Sequence, residues 1–365
     1  MKIGILTSSR ADYGIYLPLL ELLKNNSFFN LEIIAFGMHL SKSHGFSVAQ
    51  IEQDQYQTLH KISSLIANDD EQAIATSYGL TILKFANFWQ TNKYDLVFCL
   101  GDRFEMSAAV QAGIPFGVKY AHIHGGETTL GANDNIYRHQ ITHASILHFT
   151  ATDLFSKKII SLMGSSANVH MVGSLSLDGI EKFKPIEKLL FYNKFKIPNQ
   201  DFALVTFHPE TLSPHLNIKF ALEMRIALAQ IVSKLLLIIT MPNADTMGSV
   251  FRSEFEYLKK EYPEKVICVE NFGKFNYFTA MHYAKLLIGN TSSGILEAAS
   301  FGKYVINVGD RQKGRLKNAN VINAVFSSDD IFEKTIDVLN MGAYQGDNIY
   351  WKEGTAQKII SIIKK

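Results

Sequence analysis

The sequence predicts an α/β protein with two parallel sheets, each covered by helices on both faces, and three observations support this prediction. Short apolar runs typical of buried strands alternate with longer amphipathic stretches typical of helices. The alternation indicates parallel strands, because consecutive parallel strands need a crossover connection that a helix usually supplies. It occurs in two successive sets, and 365 residues is a length that suits two domains. We therefore expect two Rossmann-like domains.

The predicted strands form one set in each half of the chain. Those of the first half are Lys2–Leu6, Leu31–Phe36, Leu96–Leu100, Lys119–Ile123, Leu147–Thr150 and Val169–Val172. Those of the second half are Phe202–Phe207, Leu235–Thr240, Val266–Val269, Leu286–Ile288 and Tyr304–Val308. Helices are expected between the strands, for example at Ile15–Lys24 and Glu71–Gln90.

A change of rhythm separates the two sets of strands. In "VGSLSLDGIEKFKPIEKLL" the strand pattern lapses and charged residues become frequent. We expect an N-terminal domain over residues 1–175 and a C-terminal domain over residues 176–349. Residues 350–365 are predicted to form a terminal helix that packs back towards the N-terminal domain.

The composition argues against several classes of protein. A net charge of +2 provides no basic field for nucleic acid. Cys99 and Cys268 lie in separate apolar runs, which is typical of buried free thiols rather than of a disulfide framework or a cysteine-based zinc site. The first apolar stretch is too short for a signal peptide, and the longest, "LLLIIT", is too short to span a bilayer. We expect a soluble, cytoplasmic protein with no nucleic-acid or membrane partner.

Polar residues directly after predicted strands are the candidate site residues, because ligands of doubly wound sheets bind beyond the C-terminal strand ends. After the first strand, "TSSRADYG" offers loop amides, a helix start and the guanidinium of Arg10, which together suit a phosphate. The alternative is a surface arginine beside a serine cap. After the strand Leu96–Leu100, "GDRFE" supplies Asp102 and Arg103. Asp102 suits a general base or, alternatively, a helix cap.

The stretch "HIHGGETTLGANDNIYRHQ", over residues 122–140, gathers titratable groups after the fifth predicted strand. Its glycine pair allows a sharp turn or a close approach to a ligand. Asp134 and Arg138 are four residues apart and would share a helix face, where an ordinary surface ion pair is the alternative to a role in a site. His139 and His143 have the same spacing, but no carboxylate completes an HExxH pattern, so we expect no metal site.

In the second half, polar residues again follow predicted strands. His208 in "VTFHPET" would face the cleft between the domains, with a buried core histidine as the alternative. The stretch "GNTSSGILEA" places hydroxyls and free amides at a helix start, which suits an anion. Glu297 lies one turn further on, where a carboxylate would repel phosphate and suits a ribose diol better. Arg311 follows the next strand and could reach a diphosphate.

Together these stretches resemble the hydrolysing UDP-N-acetylglucosamine 2-epimerases of sialic acid and related nonulosonic acid biosynthesis. The resemblance extends over nearly the whole chain and rests on six motifs in order: "SSRADYG", "GDRFE", "HIHGGE…DNIYRH", "FHPET", "GNTSSGILEA" and "GDRQKGR". It implies a GT-B-like pair of Rossmann-like domains with the active site in the cleft between them, the N-terminal domain carrying the proton-transfer residues and the C-terminal domain binding UDP. It also implies a UDP-sugar substrate, UDP as product, no cofactor, and a homodimer or homotetramer.

The resemblance implies a reaction as well. UDP leaves C1 while a proton leaves C2, which gives a 2-acetamidoglycal, and water then adds with inverted configuration at C2. The products are UDP and a free N-acetylmannosamine-type sugar. Matching motifs imply catalytic roles for Asp102, His124, Glu127, Asp134 and His208. They imply contacts to the sugar or to UDP for Arg10, Arg103, Arg138, Asn243, Thr291, Ser292, Ser293, Gly294, Glu297 and Arg311.

One position departs from the family pattern. Many members carry a catalytic glutamate two residues after the first histidine of the "HIHGGE" motif, and this chain has His124 there. Either His124 transfers the proton, since histidine titrates near neutrality, or Glu127 takes over that role. The departure leaves two substrates open, UDP-N-acetylglucosamine and UDP-2,4-diacetamido-2,4,6-trideoxyglucose, the latter leading to legionaminic acid.

Three other functions are compatible with the same sequence features. A GT-B glycosyltransferase would transfer the sugar to an acceptor and release little free sugar. A non-hydrolysing 2-epimerase would keep UDP attached to its product. A catalytically inactive nucleotide-sugar sensor would bind without turnover, and the retained acidic residues argue against it.

Overall fold

The structure of the protein, a computed structural model, describes residues 1–42, 45–66, 68, 70–130, 133–210, 214–242, 247–270 and 272–365. The chain divides into two compact units. The N-terminal unit comprises Met1–Glu127, Asn133–Gly179 and Tyr350–Lys365. The C-terminal unit comprises Thr128–Ala132 and Ile180–Ile349. Each unit is an α/β structure built on its own parallel sheet, as the sequence predicted.

The N-terminal unit contains a seven-stranded sheet in which every described pair of neighbouring strands is parallel. Its strands are β1 (Lys2–Thr7), β2 (Asn30–Phe36), β3 (Thr58–Ile62), β4 (Leu96–Leu100), β5 (Tyr120–Ile123), β6 (Leu147–Thr150) and β7 (Val169–Met171). The strand order is β3-β2-β1-β4-β5-β6-β7. The order reverses between β1 and β4, which is where such sheets open a crevice for a ligand.

Helices cover both faces of this sheet. They are α1 (Arg10–Lys24), α2 (Val48–Gln53), α3 (Glu71–Thr91), α4 (Phe104–Gly113), α5 (Asp134–Ala144), α6 (Asp153–Met163) and, at the end of the chain, α13 (Thr355–Ile363). One apolar core lies between the sheet and α1 with α13, and includes Leu20 and Ile359. The other core lies under α3 and α4, and includes Trp89 and Met106. Both faces of the sheet are therefore covered by helices, and polar groups that could bind a ligand are expected at the strand ends.

The C-terminal unit repeats this plan with a six-stranded parallel sheet. Its strands are β8 (Phe202–Thr206), β9 (Leu236–Thr240), β10 (Val266–Val269), β11 (Leu286–Gly289), β12 (Val305–Val308) and β13 (Val321–Ala324). The order is β10-β9-β8-β11-β12-β13, with its reversal between β8 and β11. Its helices are α7 (Lys188–Phe195), α8 (Asn217–Ile231), α9 (Gly248–Glu261), α10 (Gly273–Tyr283), α11 (Ser292–Leu296) and α12 (Ser328–Met341).

Two strands lie outside the predicted set. The strands β3 and β13 occupy edges of the two sheets, and most of their residues are partly exposed. An edge strand with sequence "TLHKI" or "VINA" needs no continuous apolar run, because solvent reaches much of it. The apolar pattern located the central strands, which are buried on both faces, and also the edge strands β7 and β10.

Along the described ranges, no helix combines the length and the apolar content needed to cross a membrane.

Candidate active site

The residues that follow β4 and β5 form a buried cluster of charged groups in the N-terminal unit. Asp102 follows Gly101, whose φ of +74° lies in the left-handed region that favours glycine. The carboxylate of Asp102 accepts a hydrogen bond from Arg138 Nη2. Arg138 Nη1 donates to the carbonyl oxygen of His124 at 2.6 Å. The Arg138 side chain is only 1% exposed, so these acceptors, rather than water, must stabilise its positive charge.

For two of these residues, the structure excludes one of the alternatives that the sequence left open. Helix α4 begins at Phe104 and its N-cap position is Arg103, so Asp102 does not cap it. Arg138 is a buried residue rather than half of a surface ion pair. Asp134 is the first residue of α5, the helix that carries Arg138 into the cluster.

His124 and Glu127 form a second hydrogen-bonded pair beside the first. His124 Nδ1 and Glu127 Oε1 share a hydrogen bond of 2.7 Å, and both side chains are nearly inaccessible to solvent. Glu127 Oε2 lies 3.9 Å from Arg138 Nη1, so one guanidinium stands between two carboxylates. On the other side of the imidazole, Nε2 lies 3.4 Å from the hydroxyl oxygen of Ser174. The cluster therefore combines two acids, one permanent cation and one imidazole, which can accept and return a proton.

The glycine pair after His124 allows the loop to run close to its neighbours. Gly126 has a φ of +77°, and a Cβ there would lie 2.4 Å from the carbonyl oxygen of Phe155 in α6. A Cβ on Gly125 would lie 3.0 Å from His122 Nδ1. His124 itself has a φ of +65°, a conformation that costs energy for a residue with a side chain. Such strain is typical of positions where function fixes the backbone.

His122, in β5, links the residue that follows β4 to helix α5. Its Nε2 bonds the carbonyl oxygen of Gly101 at 2.9 Å, and its Nδ1 bonds the hydroxyl of Thr142 in α5 at 3.1 Å. Complete burial lowers the pKa of His122 to about 3, so the ring is neutral at pH 7. The residue before Asp102 and the helix that carries Arg138 are therefore held by one neutral imidazole.

The loop after β1 uses its amides internally. Ser9 caps α1 in a capping box with Asp12. Asp12 Oδ2 accepts from the amides of Ser8 and Ser9 at 2.9 and 3.1 Å, and from the Ser8 hydroxyl at 2.7 Å. The expectation that these amides would bind phosphate is therefore corrected, since a carboxylate already takes them. Arg10, the first residue of α1, remains the cationic candidate of this loop.

Arg103 is bound by a neighbour that the sequence analysis did not single out. Its Nε and Nη2 donate to the two carboxylate oxygens of Glu105 at 3.2 and 3.1 Å. Glu105 is 1% exposed, and burial raises the pKa of its carboxyl group, which Arg103 opposes. The bidentate pair fixes the guanidinium plane of Arg103 at the end of β4.

In the C-terminal unit, the stretch after β11 forms a single short turn of helix. Thr291 is the N-cap of α11 and accepts from the Ser293 amide at 3.4 Å. The Ser293 hydroxyl donates to the Tyr277 hydroxyl at 2.9 Å, and a Cβ on Gly294 would lie 2.9 Å from Val305. Because α11 has only five residues, its macrodipole is weaker than the sequence analysis assumed. Anion binding here would depend on hydroxyls, amides and a cation.

That cation is Arg311, which is anchored at the start of the same stretch. Arg311 Nη1 donates to the carbonyl oxygen of Asn290 at 3.2 Å, and Gln312 Nε2 donates to the same oxygen at 2.8 Å. Glu297 follows α11 directly and is buried. The ends of β11 and β12 thus bring Ser292, Glu297 and Arg311 to one edge of the sheet.

His208 lies beyond the end of β8, at the neighbouring edge position of the same sheet. It is 7% exposed. Its backbone amide donates to Asn290 Oδ1 at 2.7 Å, and Asn290 Nδ2 donates to its carbonyl oxygen at 2.8 Å. The structure therefore brings His208 and the Arg311 loop together through one asparagine.

Asn243, the last candidate residue from the sequence, lies outside the described residues. Within the part of the chain that the structure describes, no group of three or more histidine, cysteine, aspartate or glutamate side chains is arranged to hold a metal ion.

Sequence reasoning missed several side chains of these sites that bind a candidate residue. Among them are Glu105 and Asn290, which are buried, and Tyr277, which is partly buried. Glu105 and Asn290 stood inside quoted motifs, so position after a strand was an available signal for them. Tyr277 lies in the middle of α10, and nothing in the sequence connects it with Ser293.

Comparison with families of known proteins places this geometry in context. The model of the family described as UDP-N-acetylglucosamine 2-epimerase matches residues 21–364. The GDP/UDP-N,N'-diacetylbacillosamine 2-epimerase (hydrolyzing) of Campylobacter jejuni is 33% identical over 339 residues, which covers 91% of this chain and 87% of that protein. The corresponding UDP-N,N'-diacetylbacillosamine 2-epimerase of Legionella pneumophila is 31% identical, covering 100% and 95%. The polysialic acid biosynthesis protein P7 of Escherichia coli is 32% identical, covering 100% and 93%.

Solved structures with the same fold include two that contain nucleotide. The UDP-GlcNAc 2-epimerase of Neisseria meningitidis bound to UDP-GlcNAc superposes with a TM-score of 0.81 at 16% identity and full coverage of both chains. The enzyme of Methanocaldococcus jannaschii in complex with UDP-GlcNAc and UDP gives 0.81 at 16% identity, covering 100% and 99%. At this identity the likeness concerns the fold.

Proposed function

The chain belongs to the UDP-N-acetylglucosamine 2-epimerase family, and from this premise we propose that it is a hydrolysing 2-epimerase of a UDP-2-acetamido sugar. The observation that carries the proposal is the buried cluster of Asp102, Arg138, His124 and Glu127. It supplies acids, a base and a fixed cation at adjoining strand ends, which is what removal and return of a carbon-bound proton requires. The names of the hydrolysing relatives support the same reaction.

The reaction proposed has two stages. The C1–O bond breaks first, because the C2 proton is not acidic, and UDP departs as that proton is taken, which leaves a 2-acetamidoglycal. Water then adds at C1 while a proton returns to C2 on the opposite face. The net change consumes one water and gives UDP and a free N-acetylmannosamine-type sugar. Arg10, Ser292, Ser293 and Arg311 are proposed to hold the leaving diphosphate.

Proton transfer is assigned to the N-terminal unit. We assign the role of the family glutamate to His124, with Glu127 as the carboxylate that orients it. The 2.7 Å bond between the two supports this division, because a carboxylate on Nδ1 sets the tautomer and leaves Nε2 as the reacting nitrogen. Asp102 and Asp134 are the further candidate bases, and Arg138 binds Asp102. A fully active His124→Gln enzyme beside an inactive Glu127→Gln enzyme would transfer the role to Glu127.

For the sugar, we propose UDP-2,4-diacetamido-2,4,6-trideoxyglucose, with UDP-N-acetylglucosamine as the second candidate. The names of the Campylobacter and Legionella relatives support the first. The name of the Neisseria relative, UDP-N-acetylglucosamine 2-epimerase, at 28% identity, supports the second. Either product would feed the synthesis of a nonulosonic acid of the legionaminic or sialic type.

The deciding experiment is NMR of the products from both substrates in D₂O. We expect free sugar and UDP, with one deuterium at C2 of the sugar, because that proton is lost to and regained from solvent. In H₂¹⁸O the label should be absent from UDP, since the C1–O bond breaks rather than the P–O bond. UDP still attached to the epimerised sugar would indicate a non-hydrolysing epimerase. No free sugar until an acceptor is added would indicate a glycosyltransferase.

A further inference from the structure

Two asparagine side chains in the C-terminal unit hold the backbone of the short stretch that follows β8. Asn290 takes both backbone groups of His208: Oδ1 accepts from the amide at 2.7 Å and Nδ2 donates to the carbonyl oxygen at 2.8 Å. Asn217, the first residue of α8, binds Glu210 in the same way, at 2.9 and 3.0 Å. Each carboxamide therefore supplies the one acceptor and the one donor that a neighbouring strand would supply to a residue inside a sheet.

The need for these two bonds follows from where β8 ends. The strand stops at Thr206, and Pro209 has no amide hydrogen. His208 and Glu210 are 7% and 8% exposed, so their backbone groups have little access to water and must find partners in the protein. Both asparagines are completely buried, and a neutral amide can satisfy a donor and an acceptor without adding charge.

The two asparagines serve different parts of the unit. Glu210 Oε1 accepts from the backbone amide of Asp310 at 2.6 Å, so Asn217 supports the loop that carries Arg311. Asn290 supports His208 with its side chain. The contacts of Arg311 and Gln312 go instead to the backbone carbonyl of Asn290, which every substitution at this position keeps.

We propose that Asn290 is a positioning residue of the reaction, whose side chain fixes His208 and whose backbone carbonyl anchors the Arg311 loop. The inference rests on the proposed function, because it assumes that His208 takes part in turnover. Losing the side chain should release His208 and leave the loop in place. A displacement of about 1 Å at such a group can cost about 10²-fold in rate.

The first test separates rate from binding. We expect Asn290→Ala to lower kcat by about 10- to 100-fold while changing the calorimetric Kd for UDP by less than about threefold, a change of well under 1 kcal/mol. Asn217→Ala is the matched control, because it removes the same two bonds from a residue two positions away. It should weaken UDP binding more than it lowers kcat, since Glu210 holds the Arg311 loop. Equal losses of kcat and UDP affinity in Asn290→Ala would overturn the proposal.

A double-mutant cycle then tests the route through His208. Asn290→Ala should lower kcat little further in a His208→Gln background, because the group it positions is already gone. The full effect of Asn290→Ala in that background would overturn the proposal, as would full activity of His208→Gln alone.

The last measurement is independent of turnover. In ¹⁵N-histidine NMR, the His208 ring signals should move in Asn290→Asp, which keeps the acceptor for the amide and loses the donor to the carbonyl. They should stay in place in Asn217→Ala. Unmoved His208 signals in Asn290→Asp would overturn the proposal even if Asn290→Ala does not fold. A wild-type enzyme that releases no sugar would instead count against the proposed function, and the NMR result would still decide the positioning role.

Discussion

At the ends of β4 and β5, the buried side chains are charged and bind one another, whereas at the ends of β8 and β11 neutral amides make the buried connections. In the N-terminal unit, Arg138 stands between Asp102 and Glu127. In the C-terminal unit, Asn290 and Gln312 tie the strand-end loops together. The comparison shows that two sheets of the same plan can carry different kinds of connection at the C-terminal ends of their strands.

The difference follows from what each edge is proposed to do. Proton transfer needs groups that titrate, and burial of such groups requires partners of opposite charge. A site for a diphosphate needs donors whose direction is fixed before the ligand arrives, and neutral amides can hold such donors in place without titrating. Substitutions at the two edges should therefore fail in different ways.

The largest expected effect concerns stability at the charged edge. Arg138→Met should lower the free energy of unfolding by about 3–5 kcal/mol, because it leaves the buried carboxylate of Glu127 and the partly buried carboxylate of Asp102 without their cation. The neutral counterpart, Gln312→Leu, removes one hydrogen bond to a carbonyl oxygen that Arg311 still binds, and should cost about 1 kcal/mol. Urea unfolding of both variants measures the contrast. Equal losses would mean that charge does not distinguish the edges.

The next effect separates turnover from binding. Asp102→Asn should lower kcat by about 10²-fold or more, the range for a general acid–base group, and leave the affinity for UDP nearly unchanged. Steady-state kinetics beside UDP calorimetry gives both numbers. A variant with normal kcat and a lowered melting temperature would reduce Asp102 to a structural partner of Arg138.

The converse prediction, a loss of UDP binding, concerns the C-terminal unit. The double variant Ser292→Ala with Arg311→Ala should weaken UDP binding by at least about 2 kcal/mol, because charge-assisted hydrogen bonds contribute about 1.5–3 kcal/mol each. This corresponds to a Kd higher by about 30-fold. Calorimetry on the folded variant checks it, and unchanged affinity would place the nucleotide elsewhere.

The last effect is absent at pH 7 and grows only on acidification, and it is a dependence of stability on pH at the charged edge. The folded-state pKa of His122, about 3, lies below the ordinary value of about 6.5, because the ring is buried. Above pH 6.5 neither state binds this proton. As the pH falls from 6.5 towards 3, only the unfolded chain binds it, so stability should fall by about 1.4 kcal/mol per pH unit.

His122→Gln isolates this contribution. The variant lacks the imidazole, so the stability advantage of the wild type over it should shrink as the pH falls below 6.5. Urea unfolding at pH 7, 6, 5 and 4 measures the difference. A constant difference across this range would show that His122 takes up its proton in the folded protein as readily as in the unfolded chain.

The sequence was sufficient for the central strands and for the strand-end positions of the candidate site. Both depend on local patterns: a continuous apolar run marks a strand buried on two faces, and the residue after it is at the edge. The edge strands β3 and β13 escaped because neither is a continuous apolar run, which a partly exposed strand does not need; the edge strand β10, "VICV", is such a run and was predicted. Pairings between distant parts of the chain escaped for a different reason.

Those pairings depend on which loops the fold brings together. Asp102 and Arg138 are 36 residues apart, and His208 and Asn290 are 82 apart. Spacing along the chain instead suggested Asp134 as the partner of Arg138. The amides of Ser8 and Ser9 were assigned to phosphate because a sequence does not show that Asp12 would turn back to accept them.

The helix α13 has a consequence for how the protein is made. Residues of α13 complete the core beside α1, with Ala356, Ile359 and Ile360 fully buried there. The bulk of the C-terminal unit, Ile180–Ile349, is contiguous and emerges from the ribosome before that helix. The N-terminal unit, although translated first, therefore lacks part of its apolar cover until residues 355–363 are made. Until then, the face of α1 that α13 covers in the folded protein is open to water.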